Sequence, residues 1–501
     1  MSVQIKLNKG GNIKLQGVAN RVIVDTPKAD IYAIKPDDFH GVIPKLILRE
    51  GAKVKVGTPI FFDKENDKIK WTSPVSGEIV EILRGARRKI LEIRIKSDGQ
   101  FTSESFSKLE ATASKEEIIE QLLSAGLWPM VKQRPFDVIA NPSDEPKAIF
   151  VSAFDTSPLA PDYDFIVAGK EAEFQKGIDA LAQLSKSGQV NLNVPTEKEV
   201  RFNVEDTFSY KDETGKVVVA DYKTAVNGNE LSPAKKALTQ ITEKYSKSSA
   251  TFTKASNIML GEVTGIHPAG NVGIQIHKIN PINKGETVWT VNVQDVITIG
   301  SFLLNGTLSF EKVVALTGSE VKTPQYYKLV AGAPLSDLVA DNLKEAEEKP
   351  RFISGNVLTG SKIEKEGFIG FYDNQVTVIP EGDQYDLLGW AVPVQPEKLS
   401  FSKTLWSWIM PSKAYRLNTN NNGEQRAFVV TGQYEKVLPM NIYPVQLLKA
   451  CMVEDIDAME GLGIYEVAPE DLALCEFACT SKIPVQHVLR IGLDLVKKEC
   501  A

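Results

Sequence analysis

The order of apolar and polar positions changes period several times along the chain. Between residues 28 and 100, short apolar runs such as "IYAIKP", "KLILREGAKVKVGTPIFFD", "KIKWTSPVSGEIVEILRG" and "KILEIRIKSDG" are broken by Gly and Pro, which predicts an all-β module. Over 114–125 the period becomes helical. Ile118, Ile119, Leu122 and Leu123 follow Ser114 and Glu117, a pair spaced for a capping box, and Gly126 ends the run. "KAIFVSAFD" and "DFIVAG" then read as buried strands, and "EAEFQKGIDALAQLSKSG" as an amphipathic helix closed by glycine. Strands alternating with helices predict an α/β layer around a mainly parallel sheet.

The stretch from 191 to 255, including "VNGNELSPAKK" and "EKYSKSSATFTK", is polar and less regular, with strand and helix pieces expected inside it. A helix follows in "VQDVITIGSFLLNG". The segment "EKVVALTGSEVKTPQYYKLVAGAPLSDLVADNL" packs strand, turn, strand and short-helix signals together, as a β-grasp does. Beyond Pro350 the pattern predicts strands in "FISGNVLTG" and "FIGFYDNQVTVIP", a Trp-bearing helix over 401–410, a loop at "NTNNNG" and a helical tail.

At 501 residues the chain is too long for one core. The net charge of −6 weighs against a nucleic-acid binder. The start, "MSVQIKLNKGGNIKLQG", alternates polar and apolar residues unlike a secretory signal. No segment approaches the ~18 consecutive apolar residues of a spanning helix, so work at a membrane would be done from outside it. All four cysteines, 451, 475, 479 and 500, lie near the end, unlike a disulfide scaffold, and a reducing cytoplasmic compartment is expected.

In "LCEFACTSKIP", Cys475 and Cys479 match the third and fourth positions of a C-x2-C-x2-C-x3-C-P iron–sulfur run. Pro469 and Leu472 stand at the first and second, and Thr480 replaces the proline. A fainter frame falls on Phe428, Thr431, Tyr434 and Leu438, where only Pro439 is kept. The expected role of both cysteines is that of small buried hydrophobes. A cluster completed by Cys451 and Cys500, or a thiol redox sensor, is the alternative.

Four other stretches carry candidate chemistry. "GIHPAGNVGIQIHK" offers His267 as a donor to a carbonyl, with Gly270 and Gly273 letting a flat ring approach the backbone, and a structural histidine as the competing role. His277 has no nearby third ligand for a zinc set. "RGARRK", with Arg84, Arg87, Arg88 and Lys89, suits an acidic partner surface or lipid headgroups unless it is a hydrated turn. Lys64 and Lys68 lie where carrier domains present a modified lysine, in a hairpin read instead as a solvated loop. Phe401, Leu405, Trp408 and Ile409 form a helical stripe read as core-facing, with Trp406 turned outward as a docking residue.

The tail "LPMNIYPVQLLKACMVEDIDAMEGLGIYEVAPEDLALCEFACTSKIPVQHVLR" resembles the double-cluster helical domain of the Rnf complex C subunit, with its ligands replaced. With "RGARRKILEIRI", "SAGLW", "KAIFVSAFDTSPLAP", "IHPAGNVGIQIHKINP", "NVQDVITIGSFLLNG", "VVALTGSEVKTP" and "ISGNVLTG", the chain resembles the A-subunit family of the sodium-translocating NADH:quinone oxidoreductase. The resemblance implies a lipoyl-like barrel-sandwich hybrid at 1–105, a Rossmann-like α/β domain at 106–310 and an SLBB-like β-grasp at 311–350. A β-rich linker at 351–425 and a helical ferredoxin-like domain without cluster ligands at 426–501 complete it.

In flavin-binding relatives the turn after the first helix is glycine-rich, whereas here it reads "SAGLWPMVKQRPF", with Trp128 and Pro129 where small residues are needed. The implied role is a peripheral subunit on the cytoplasmic side of the bacterial inner membrane, docked on membrane flavoprotein subunits. It would itself hold no cofactor, while NADH, flavins, an iron–sulfur centre, quinone and sodium are handled by or through other chains. A quinone contact at His267, Gly270 and Gly273 is the one small-molecule role expected of it. A freestanding ligand-binding module built on Val313 to Leu338, or an independent redox enzyme, would be the other readings.

Overall fold

In the computed structural model, residues 2–109, 113–196, 207–211, 217–221, 225, 232–235, 249–345, 348–384, 395 and 397–500 are described. Much of "VNGNELSPAKK" and the start of "EKYSKSSATFTK" lie outside them.

The β-module folds as expected. Its apolar alternation is buried between a four-stranded sheet, built on Gly77–Arg84 and Ile90–Ser97 with Ile31–Ile34 and Lys53–Val54 outside them, and a three-stranded sheet centred on Pro59–Asp63. Inside, Phe61 stacks on Trp71 with ring centroids 4.8 Å apart, which closes the sandwich around two large apolar side chains.

The helix Lys115–Ala125 begins with a complete capping box between Ser114 and Glu117 and stops at Gly126 in the left-handed conformation, φ 71°. It leads into a seven-stranded sheet whose central strands are parallel. Ala148–Ser152 pairs with Val190–Pro195 on one side and Val288–Thr290 on the other. Ile258–Thr264 and then Val3–Lys6 extend the first side in parallel. The strand order therefore reverses between Ala148–Ser152 and Val288–Thr290, and the carboxyl ends at such a reversal are where α/β sheets form ligand crevices.

"DFIVAG" is not a strand. Tyr163–Ile166 is a single helical turn, because the Asp162 carboxylate accepts from the Phe165 N–H and caps it. The helix Glu171–Leu184 ends at Ser185 rather than at glycine, its cap N–H donating to the carbonyls of Leu181 and Ala182.

The β-grasp hairpin, Glu311–Thr317 with Gln325–Val330, lies inside a six-stranded sheet. Asn20–Asp25 pairs with one side of it, and Gln375–Pro380, Pro350–Ser354 and Ser361–Ile363 follow on the other. "FISGNVLTG" is thus strand only in its first half. Residues 356–359 turn, with the Asn356 side-chain oxygen accepting from the N–H groups of Leu358 and Thr359.

The helix expected over 401–410 is reduced to one 3₁₀ turn, Trp406–Ile409. Hydroxyls of Ser400, Ser402 and Thr404 bond to one another beside it, a local pattern that competes with helix formation, and Pro411 blocks its continuation. Phe401 packs on Phe477 at the edge of the tail's core, but Trp408 and Ile409 are both 56% exposed, so only the start of the stripe faces a core. The tail is helical as expected, ending in Val485–Cys500.

Candidate functional site

A cavity of about 240 Å³ opens at the strand reversal. Ser152, Phe154, Asp155, Thr290 and Asn292 line it from the sheet end, Asn356, Thr359 and Tyr372 from the segment around the β-grasp sheet, and Glu470 from the helical domain. Two helices start at its wall. Asn292 caps Val293–Asn305, its side-chain oxygen accepting from the Gln294 N–H at 3.0 Å, and Asn271 precedes Val272–Ile279.

Helix starts favour anions, and here the protein supplies its own. Asp295 stands in the first turn of Val293–Asn305. Burial pushes its carboxyl up to about 7 against the pull of Lys312 and Lys132. At Asp137 burial is outweighed by Lys132, Arg134 and Arg490, which hold the carboxyl below its ordinary value. The Tyr163 hydroxyl, which accepts from the Asn292 amide at 3.1 Å, is raised to about 12 by burial and the charge of Asp155. The site therefore mixes carboxylates with the cations Lys132 and Arg134 and with amides, beside the rings of Phe154, Tyr163 and Tyr372, a surface that both donates and accepts hydrogen bonds.

In the cavity wall, Arg134 is buried against the helical domain. Its Nη1 lies 2.5 Å from Asp471 Oδ2, its Nη2 meets Glu470, and Asp471 also accepts from the Ala468 N–H. Only 2% of Arg134 is exposed and none of Asp471, so each charge depends on the other. Nothing in the local sequence pairs residues 337 positions apart.

The expected site residues are distributed as follows. His267 and Gly270 lie in the cavity wall. Nδ1 of His267 is 3.2 Å from the Thr156 hydroxyl, and the Gly270 N–H donates to the same hydroxyl at 2.9 Å. A Cβ at Gly270 would strike the backbone of Asp155 and Thr156, so this glycine seats one loop on another. At Gly273 a Cβ would fall on the Asp471 carboxylate and the Arg134 guanidinium, which places this residue behind the ion pair rather than in the cavity wall. His277 bridges domains: its Nδ1 is 2.6 Å from Glu466 and its Nε2 accepts from the Asn441 N–H. Asp295, Tyr372 and Arg134 were missed; a lone acid opening the apolar run "VQDVITIG" is the one local signal for any of them.

Trp128, where the flavin-binding pattern needs a small residue, is fully buried. Its indole packs edge-on against Trp289 at 5.5 Å, and its N–H donates to the Ala140 carbonyl. The Pro129 carbonyl accepts from the Tyr372 hydroxyl at 2.6 Å. With this turn committed to core packing, and Pro129 supplying no amide donor, it does not fit a flavin phosphate.

The two cysteine frames meet. Tyr434 of the upstream frame donates its hydroxyl to Sγ of Cys479 at 2.9 Å, and Phe428 packs on Tyr434 at 5.8 Å. Cys475, Leu472 and Leu438 are buried in the same core. Burial raises the thiols of Cys475 and Cys451, the latter to about 11, so neither is a reactive thiolate near neutral pH. Among the described residues no group of three or more His, Cys, Asp or Glu is placed to hold a metal ion.

Arg84, Arg87 and Arg88 are exposed at the end of strand Gly77–Arg84 and on the turn after it, far in sequence from exposed Trp406. Lys64 and Lys68 are exposed in the loop between Pro59–Asp63 and Lys70–Thr72.

Three family profiles match the chain in order. The NqrA N-terminal barrel-sandwich hybrid domain covers 5–98, the NqrA second alpha/beta domain 113–217 and 216–308, and the NQRA C-terminal domain, of SLBB type, 313–365. The A subunits of Na(+)-translocating NADH-quinone reductases from several bacteria are similar end to end. That of Neisseria gonorrhoeae (strain NCCP11945) is 34% identical over 99% of this chain and 100% of its own length. That of Yersinia pestis bv. Antiqua (strain Angola) is 33% identical with the same coverage, and that of Marinomonas sp. (strain MWYL1) is 32% identical over 99% of each. The order of the three domains and the full-length similarity place this chain in the NqrA family, the A subunits of sodium-translocating NADH-quinone reductases.

Proposed function

We propose that the chain is the peripheral NqrA component of a sodium-pumping complex, docked on the cytoplasmic side of its membrane flavoprotein subunits. That complex couples electron transfer from NADH to ubiquinone or menaquinone to sodium export. The similarity over 99% of the chain to reductase components of that name carries the reading. Among the described residues no helix is long and apolar enough to cross a membrane, which suits attachment from outside. Flavins, the iron–sulfur centre and the ion path belong to other subunits, because Trp128 fills the phosphate turn, six of the eight cluster positions of the tail lack cysteine, and no described helix is long and apolar enough to span a membrane.

The test is purification of the tagged chain from native membranes in mild detergent, with NADH:quinone activity assayed with and without sodium. Stoichiometric recovery with membrane flavoproteins and sodium-stimulated activity is expected; recovery of the chain alone from the soluble fraction overturns the reading. Arg84, Arg87 and Arg88 are the proposed residues for docking on those subunits, and Trp406 is a proposed docking residue toward the membrane. Reversing the charge of Arg87 and Arg88 should lower the yield of assembled complex, and unchanged assembly removes them from the interface.

The cavity is the proposed quinone contact, with His267 and Gly270 in its wall and Gly273 supporting it through Arg134 and Asp471. Quinone titration followed by the fluorescence of Trp128 and Trp289 should saturate, and His267→Ala should weaken it; no saturable change would exclude a quinone here.

The tail is proposed to descend from a two-cluster ferredoxin domain. In such domains the fourth cysteine of each run serves the other run's cluster, and Tyr434 of one frame against Cys479 of the other has that crossed arrangement. Converting Phe428, Thr431 and Tyr434 to Cys would give four thiolates with Cys479. Anaerobic reconstitution should then deposit iron with visible absorbance, and a variant that folds yet takes up no iron refutes the descent.

A further inference from the structure

Among the described residues, nothing covers the turn Trp406–Ile409. Trp406 is 51% exposed, Trp408 and Ile409 56% each, and Met410 40%, so four large side chains in a run of five residues stand in solvent. Burial of such side chains is favourable, and a contiguous exposed cluster of them marks a surface that is covered in use. Ser407 alone is buried, and its hydroxyl accepts from the Ser400 N–H at 3.2 Å, which fixes the turn so that the flanking indoles project.

Beside the turn runs a groove of about 450 Å³. Lys14, Lys403, Lys413 and Lys436 line it, together with Trp408 and Tyr415, and among the described residues no carboxylate does. Lys413 lies over the Tyr415 ring at 5.3 Å and is bridged to Glu397 at 2.8 Å, so part of its charge is spoken for; Lys403 and Lys436 are exposed. On a chain of net charge −6, a groove carrying four ammonium groups is a local reversal of sign.

An apolar turn of indole, isoleucine and methionine set beside a lysine groove is the arrangement that suits the boundary of an anionic bilayer. Indoles partition to the headgroup level, aliphatic side chains reach the acyl boundary, and ammonium groups meet lipid phosphates. Charge complementarity selects this occupant: the groove requires an anion, and the adjacent turn requires an apolar phase within the same footprint. We infer that the turn Trp406–Met410 and the groove of Lys14, Lys403, Lys413 and Lys436 form a docking surface for anionic phospholipid. The surface gives the chain its own hold on the membrane, independent of any protein subunit.

The test is co-sedimentation of the purified full chain with vesicles of phosphatidylglycerol and phosphatidylcholine, and with phosphatidylcholine alone. Binding should be at least about tenfold tighter to the anionic vesicles, fall as salt is raised, and quench tryptophan fluorescence when brominated lipids are used. Lys403→Glu with Lys436→Glu should abolish the preference for anionic lipid. Trp406→Ala with Trp408→Ala should remove the bromine quenching that these indoles supply and weaken binding about tenfold or more. Both pairs are exposed, so unchanged thermal melts are the control for folding. No preference for anionic vesicles, or a preference untouched by both pairs, overturns the inference. So does a result in which the vesicles are ignored while the same variants lose assembly with membrane subunits, which would make the occupant an acidic polypeptide. Because the assay uses the chain without other subunits, its failure leaves the proposed place in the complex standing.

Discussion

The cavity at the strand reversal and the core around Cys475 sit on either side of the Arg134–Asp471 ion pair and have opposite interiors. The first is lined by carboxylates, the cations Lys132 and Arg134, amides and hydroxyls, and holds about 240 Å³ of open space. The second is dry: Leu472 and Cys475 have no exposed surface, and Leu438 and Cys479 very little. Small apolar side chains can close on one another, because dispersion and lost water both reward contact. Charged and hydrogen-bonding side chains do not close so simply, because each must keep a partner or water as it is buried. What residues stand at a site therefore decides whether it survives as a cavity or disappears into a core.

The largest effect should come from the pair that separates the two regions. Arg134→Met leaves Asp471 buried without its partner and should cost about 3–5 kcal/mol, read as a lower denaturant midpoint of the helical domain. Adding Asp471→Leu should restore part of that loss, as replacing both charges with apolar groups removes the unpaired one. In the dry core, Leu472→Ala should cost about 2–5 kcal/mol, and a loss much below 1 would mean the core is looser than its burial indicates.

In the open region the sharper probe is pH. The folded carboxyl of Asp295, near 7, lies above the ordinary carboxylate value of 3.8, so the native state holds a proton there that the unfolded state has released. Its contribution is fully present below the lower value and is lost as pH rises to about 7. Asp295→Asn should flatten the stability profile in that window, matching the parent chain below it and exceeding it above. A profile of unchanged slope would show that the cavity is better solvated than its walls imply. Smallest of all is a chemical contrast: iodoacetamide under native conditions should modify exposed Cys500 and spare Cys451, Cys475 and Cys479.

Local devices were legible in the sequence because their partners are near. Ser114, Glu117 and Gly126 bound one helix, and Gly306 ends Val293–Asn305 in the left-handed conformation. "DFIVAG" misled because an apolar run too short for periodicity is decided by its cap, here Asp162. The stripe at 401–410 misled because helical spacing records a face only where something packs against it. Within the candidate site, His267 and Gly270 could be picked out from their own motif, whereas Tyr372, Asp295 and Glu470 come together only through the fold. Arg134 likewise gives no sign in sequence of the carboxylate waiting far downstream.

The first residues of the chain have a consequence for its synthesis. Val3–Lys6 completes the α/β sheet beside Ile258–Thr264, Leu15 bridges to Tyr415, and Asn20–Asp25 pairs with Gln325–Val330. The barrel from Ile31 to Ser97 can close soon after it leaves the ribosome, yet the segment made before it must wait for partners made hundreds of residues later. At translation rates of about 5–20 residues per second, that wait is on the order of 15–60 s. Throughout it two extended edges remain unpaired, so the nascent chain is most open to chaperones and to mispairing along the strands that precede the barrel.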